Sequence, residues 1–194
     1  MILPIVGYGS PVLRQEAQEI DQNYPELPQL IADMYETMHS ADGIGLAAPQ
    51  IGRSIALFVI DFDAFREDQP EIADFKKAFI NPIIVGEEGE LEPYNEGCLS
   101  VPDVHEDVMR PPIITLEYYD ENWQLHETRF VGLAARVIQH EYDHLEGIIF
   151  TDHVSSFKKR MLKGKLNSIT KGAVSARYKM RFGVKDLETS QSAT

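Results

Sequence analysis

The chain has one cysteine in 194 residues, so no internal disulfide can form and a reducing, cytoplasmic setting is expected. No stretch approaches the roughly 18 to 20 apolar residues of a membrane helix, so no membrane partner is expected. Residues Met1 to Arg14 have a short apolar stretch broken by Pro4 and Pro11 and no basic leader, which does not read as a secretory signal. Positive charge is scarce: 18 Lys and Arg stand against 31 Asp and Glu, a net charge of −13, which argues against DNA as a partner. The scarcity is uneven. Val154 to Lys185 holds ten Lys or Arg and no Asp or Glu, so an acidic body carries a basic C-terminal segment.

What is present suffices for one core. Apolar residues make up 43% of the chain, enough for a single domain over residues 1–185, with a frayed polar tail expected over residues 186–194. Leu27, Leu30, Ile31, Met34, Tyr35 and Met38 recur at spacings of three and four, predicting an amphipathic helix from Glu26 to His39 that Asp42-Gly43 stops. Gly43 to Gly52, reading GIGLAAPQIG, suggests a shaped loop rather than a regular element. Ile55 to Ile60, Ala78 to Val85 and Ile113 to Tyr119 read as strands, and Asp61 to Glu71 reads as a solvated loop. Asp120-Glu121-Asn122 suggests a hairpin turn into a strand from Trp123 to Phe130. A second helix is predicted from Gly132 to Leu145, closed by Gly147, and a third from Ser155 or Ser156 to about Thr170. In that third helix Phe157, Met161, Leu162, Leu166 and Ile169 form a stripe expected to dock on the body, lysines outward. Strands with helices around them indicate an α+β fold.

The sharpest local signal is HEYDH at residues 140–144. On a helix it places His140 and His144 one turn apart on one face, with Glu141 beside them. Two imidazoles so placed can share a metal ion while the glutamate takes a proton from water. The bland account is a pair of satisfied histidines, but Val137 and Ile138 set the helix in the core, where such groups are costly without partners. Neither usual source of a third ligand exists downstream. Phe150 stands where the longer zinc-protease pattern has its third histidine, and no acidic residue follows between Val154 and Lys185. The third ligand is therefore sought upstream, where Cys98 in EGCLS is either a ligand or a buried small hydrophobe.

GIGLAAPQIG at 43–52, EGCLS at 96–100 and QHEYDHLEG at 139–147 stand in the order and spacing of the peptide deformylases. IVGYGSPVLR at 5–14 also resembles that family's opening, so the resemblance covers roughly residues 5–153. It implies an α+β domain with antiparallel β-sheets surrounding a central metal-binding helix, and a C-terminal helix. It implies hydrolytic removal of the N-formyl group from the initiator methionine of nascent polypeptides, releasing formate. The implied metal ligands are Cys98, His140 and His144, with water in the fourth position and Glu141 as general base and then acid. Gln50, through its side-chain amide, and Leu99, through its backbone N–H, are the implied donors to the formyl oxygen. Ile44, Gly45 and Gly97 are expected to hold an extended peptide, and Leu133 and Val137 to line a pocket for its methionine side chain.

The family usually works with ferrous iron, so Fe(II) is the expected metal, with Ni(II) or Co(II) able to substitute and Zn(II) supporting weaker activity. Arg136 either caps the pocket rim or pairs with Glu96. Asp103 to Val108 reads as an acidic loop beside the peptide channel. The lysine-rich C-terminal segment is either a solvated face or a contact with ribosomal RNA. Two competing functions make different predictions. A zinc endopeptidase would cleave unformylated internal bonds, and a non-enzymatic metal-binding domain would be indifferent to Glu141→Ala.

Overall fold

The computed structural model describes residues 1–70 and 72–183; the polar tail expected at 186–194 lies outside the described residues. The central feature is a five-stranded antiparallel sheet in the order β2-β3-β4-β7-β8, built from Gly45–Ala47, Leu57–Asp61, Lys76–Glu88, Ile113–Tyr119 and Leu125–Val131. Two helices, α1 (Leu27–Ser40) and α2 (Gly132–Leu145), cover its two faces. The sequence of β3 explains why it reads as one unbroken apolar run. Leu57 and Val59 turn toward Ile31, Met34 and Met38 of α1, while Phe58 and Ile60 turn toward Ala135 and Ile138 of α2, so both faces are buried.

A second hairpin, β5 (Glu92–Cys98) with β6 (Val101–Arg110), stands apart from this sheet. Its Val101, Val104 and Val108 pack with Ile149, Phe150 and the last turns of α3 (Ser156–Thr170). A parallel pair, β1 (Ile5–Val6) with β9 (Met180–Arg181), completes the described strands. The metal motif therefore sits on a helix enclosed by antiparallel strands, as the family resemblance implies.

Several expectations change. Gly43 to Gly52 is more than a loop: Gly45–Ala47 pairs with β3, and a 3-10 turn follows at Ala48–Ile51 before Gly52 turns at φ 82. The glycines and proline hid a short edge strand. Asp103 to Val108 is strand, not loop: Val104 and Val108 point inward, while Asp103, His105 and Asp107 face solvent. Trp123 sits in the turn at φ 58, and the strand begins only at Leu125. The α3 stripe docks through Leu166 and Ile169, with Leu162 partly buried, but Phe157 and Met161 are 64% and 72% exposed. That end of the helix is tied down by charge instead, Lys158 Nζ lying 2.6 Å from Glu106.

Asp61, expected on a solvated loop, closes β3 and is 4% exposed. Its carboxylate accepts the Asp63 N–H at 2.9 Å and meets Lys76 Nζ at 2.9 Å and His39 Nε2 at 3.1 Å. Burial opposes its charge, but Lys76, the Asp63 amide and His39 outweigh burial and hold its pKa below the ordinary value. A depressed carboxyl pKa stabilises the fold above the unfolded value, and that contribution is lost as pH falls through the folded value. Asp61→Asn is expected to lower unfolding free energy by about 1–3 kcal/mol at pH 7. The gap to wild type should close in urea melts taken progressively below pH 4. Equal midpoints at pH 7 would rule out a stabilising role for this carboxylate.

Candidate metal centre

The helix α2 presents different chemistry to its two sides. Ala135, Ile138 and Leu145 meet the sheet, while Arg136, His140, Asp143 and His144 face the β5–β6 hairpin and its surroundings. At the end of β5, Cys98 is followed by the two-residue turn Leu99-Ser100 and pairs across the hairpin with Val101. This geometry carries its sulfur to the helix: Cys98 Sγ lies 3.2 Å from His144 Nε2, and one ligand atom from each of Cys98, His140 and His144 falls within 4.8 Å of the others. Burial alone would push the Cys98 thiol up, but His144 and His140 bring it down to about 5, favouring the thiolate that binds metals.

Behind the cluster lies a buried charge network. Glu96, one residue before Gly97 on β5, accepts Arg110 Nε at 2.7 Å and Arg110 Nη2 at 3.0 Å. It also meets Arg136 Nη1 at 3.2 Å and His140 Nδ1 at 2.9 Å. Burial opposes the Glu96 charge, yet the His140 and Arg110 hydrogen bonds hold its carboxyl well below the usual carboxylate range. A carboxylate at Nδ1 fixes the tautomer of His140 and leaves Nε2 for a metal. Arg110 Nη1 reaches Asp143 Oδ2 at 2.9 Å, and His153 Nε2 meets the same oxygen at 2.7 Å.

Glu141 is 4% exposed, and its Oε2 has no hydrogen-bond partner among the described residues. Burial, only partly offset by His140 and His144, raises its pKa to about 7. Gly45 explains how it fits: a Cβ there would stand 2.4 Å from Glu141 Oε1, so any side chain at that position would force the carboxylate to move. Gln50 is pinned at one end, its Oε1 accepting the Ala47 N–H at 2.8 Å. That leaves the Nε2 amide as donor, 3.4 Å from Cys98 Sγ and 3.3 Å from Ser100 Oγ.

These groups open onto a cavity of about 780 Å³. Ile44, Gly45, Gln50, Gly97, Cys98, Leu99, Val137, His140 and Glu141 all line it. Leu133 does not; it packs with the Phe58, Phe79 and Phe130 cluster because it leaves α2 on the sheet side. Arg136 both lines the cavity and pairs with Glu96, and it donates to Val108 O at 3.0 Å and Glu92 O at 2.7 Å. Sequence reasoning missed Arg110, which carries no motif, and residues 175–178, which join the cavity wall from far along the chain.

One thiolate and two imidazoles fit a divalent transition metal, and the unpartnered Glu141 Oε2 beside them suits a proton carrier. Fold and site together are consistent with a mononuclear metallohydrolase. Comparison with known proteins narrows this. The model of the polypeptide deformylase family matches residues 2–160. A peptide deformylase of Christiangramia forsetii is 53% identical over 189 residues, covering 94% of this chain and 96% of its own, and one of Cytophaga hutchinsonii is 51% identical over 185 residues, covering 95% and 100%. Among solved structures, a Synechococcus elongatus peptide deformylase in complex with actinonin is 40% identical with a TM-score of 0.75, covering 92% of both chains. A Legionella pneumophila peptide deformylase is 36% identical with a TM-score of 0.78, covering 89% of this chain and 98% of its own. The chain belongs to the polypeptide deformylase family, a family of hydrolases.

The Glu96 network generates a test. Glu96→Gln keeps the shape but weakens the hydrogen bond that orients His140, and divalent-metal affinity measured by chelator competition should fall about 10–100-fold. An affinity equal to wild type would mean that His140 needs no such support.

Proposed function

We propose that this enzyme removes the N-formyl group from the N-terminal methionine of nascent polypeptides in the cytoplasm. The observation that carries this reading is the meeting of Cys98, His140 and His144 ligand atoms within 4.8 Å of one another beside the unpartnered Glu141 Oε2, with Cys98, His140 and Glu141 lining one cavity. Cys98, His140 and His144 would hold a divalent metal, which would supply Lewis-acid chemistry to the attacking water and the formyl oxygen. Fe(II) is the proposed native ion, with Ni(II), Co(II) and, less effectively, Zn(II) as substitutes.

The protein groups do the rest. Glu141 Oε2 takes a proton from the attacking water as its oxygen bonds the formyl carbon. Charge growing on the formyl oxygen is received by donors already in place, Gln50 Nε2 and the Leu99 N–H. When the carbon–nitrogen bond breaks, Glu141 hands its proton to the departing amine, and formate and a free α-amino group result. The backbone of Ile44 and Gly45 on one side and Gly97 on the other holds the peptide as an added strand, and Val137 contacts the methionine side chain.

The direct experiment is formate release from N-formyl-Met-Ala-Ser by protein prepared without oxygen and loaded with Fe(II) or Ni(II), beside the N-acetyl peptide. Release is expected from the formyl peptide alone. In Glu141→Ala turnover should fall by about 10²–10⁴-fold with one metal still bound per chain. Cleavage of unformylated internal bonds instead would favour an endopeptidase.

The α3 helix supports a further partner. Lys158 pairs with Glu106, and Lys159 and Lys165 donate to the Asp152 and Asp103 carbonyls, but Arg160 and Lys163 are exposed and have no acidic partner among the described residues. These cations suit phosphate of ribosomal RNA near the emerging chain. Arg160→Glu with Lys163→Glu should reduce co-sedimentation with ribosomes at low salt while leaving turnover of the free peptide unchanged. Undiminished co-sedimentation would exclude this face.

A further inference from the structure

The residues after α3 return to the body of the protein. Gly172 turns at φ 68, its N–H bonding Ile169 O and that of Ala173 bonding Ser168 O, each at 2.9 Å. β9 then docks on β1, with Ile5 and Gly7 N–H groups donating to Lys179 O and Arg181 O at 2.9 Å. Phe182 covers Gly7 so closely that a Cβ there would lie 2.5 Å from its ring. The segment between these anchors, residues 174–178, runs along the cavity and supplies residues 175–178 to its wall. Its side chains alternate: Ser175 and Arg177 are exposed, while Val174, Ala176 and Tyr178 are half-buried. The family match ends at residue 160, well before this strap.

Tyr178 makes the strap's polar contact with the site. Its hydroxyl donates to Leu99 O at 2.7 Å. Leu99 and Ser100 form the turn that presents Cys98, and this turn is held from three directions. Tyr8 N–H donates to Ser100 O at 2.8 Å, Gln50 Nε2 to Ser100 Oγ at 3.3 Å, and Tyr178 to Leu99 O. The Leu99 carbonyl and the Leu99 N–H belong to successive peptide planes that meet at the Leu99 Cα, so fixing the carbonyl restrains the N–H through the two rotations at that atom.

The geometry points to Tyr178 as a positioning residue for deformylation, acting through the Leu99 carbonyl on the direction of the Leu99 N–H and the Cys98 sulfur. This rests on the reading above, in which that N–H receives charge from the formyl oxygen. A donor lowers a barrier only if it is aimed before the reaction begins, so losing the tether should lower kcat more than it weakens substrate binding.

Tyr178→Phe keeps the ring against Leu99 and removes only the hydroxyl. In the full-length Ni(II)-loaded protein, kcat for N-formyl-Met-Ala-Ser should fall about five- to tenfold with KM within about twofold of wild type. Bound metal and melting temperature should be unchanged. With Co(II) in place of Ni(II), the visible bands should shift, because they report the geometry at Cys98 independently of turnover. A wild-type kcat in the variant overturns the inference, as does a loss confined to KM or to stability, which would make the strap a wall and nothing more. If the wild type itself releases no formate, the deformylase reading fails instead; the cobalt spectra then decide, and superimposable bands overturn the positioning role.

Discussion

A buried carboxylate on β5 joins the two halves of the site. Glu96 is 5% exposed and is engaged by Arg110 from β6 and by Arg136 and His140 from α2. Removing such charges from water costs several kcal/mol per ion, and Coulomb attraction repays this only when every lone pair is used and the geometry is good. Here one oxygen takes both arginines and the other takes Arg110 and the imidazole, so the condition is met. The consequence is directional. These contacts hold the hairpin on the helix in the register that brings Cys98, two residues beyond Glu96, beside His144.

The network extends past Glu96. Arg110 uses its remaining Nη1 on Asp143, the residue before His144, and Asp143 is also met by His153 after the helix has ended. His140 and His144 thus each have a neighbour, or a partner, locked to the same guanidinium. A fixed fork of five donors can do this where a lysine cannot. Cys98, His140 and His144 are consequently brought together by elements that the arginine already links.

The parts that were legible in sequence are those whose signal is local. HEYDH falls on one helix face by the helical period, and α1 and β3 announce themselves by apolar spacing and by an unbroken apolar run. The β5–β6 hairpin escaped because its acidic residues disguise it. Asp103 and Asp107 face solvent, Glu106 answers Lys158, and Glu96 answers two arginines, so charges that look like loop composition are strand residues with partners. Arg110 and Tyr178 could not be found from sequence, since their partners lie 14 and 79 residues away and no spacing rule connects them. Leu133 misled for a different reason: counting turns back from His140 ignores that α2 is enclosed on two sides, so a residue near the right height can still face the sheet.

Gly45 shows how backbone and chemistry constrain each other at this site. β2 is an edge strand, paired with β3 through Gly45↔Ile60, Leu46↔Val59 and Ala47↔Phe58, and no strand among the described residues pairs with its other side. An open edge is normally a liability, because unpaired N–H and C=O groups invite pairing with other chains. Here the strand is three residues long, Gln50 takes the Ala47 N–H, and Gly45 lines the cavity, where the proposed extended peptide would pair with it. In the proposed reading, the glycine that leaves room for Glu141 would also let the peptide's backbone come close to the carboxylate. A side chain at this position would press on Glu141 and narrow the cavity together, so under the proposed deformylation one missing Cβ would serve both substrate approach and proton transfer.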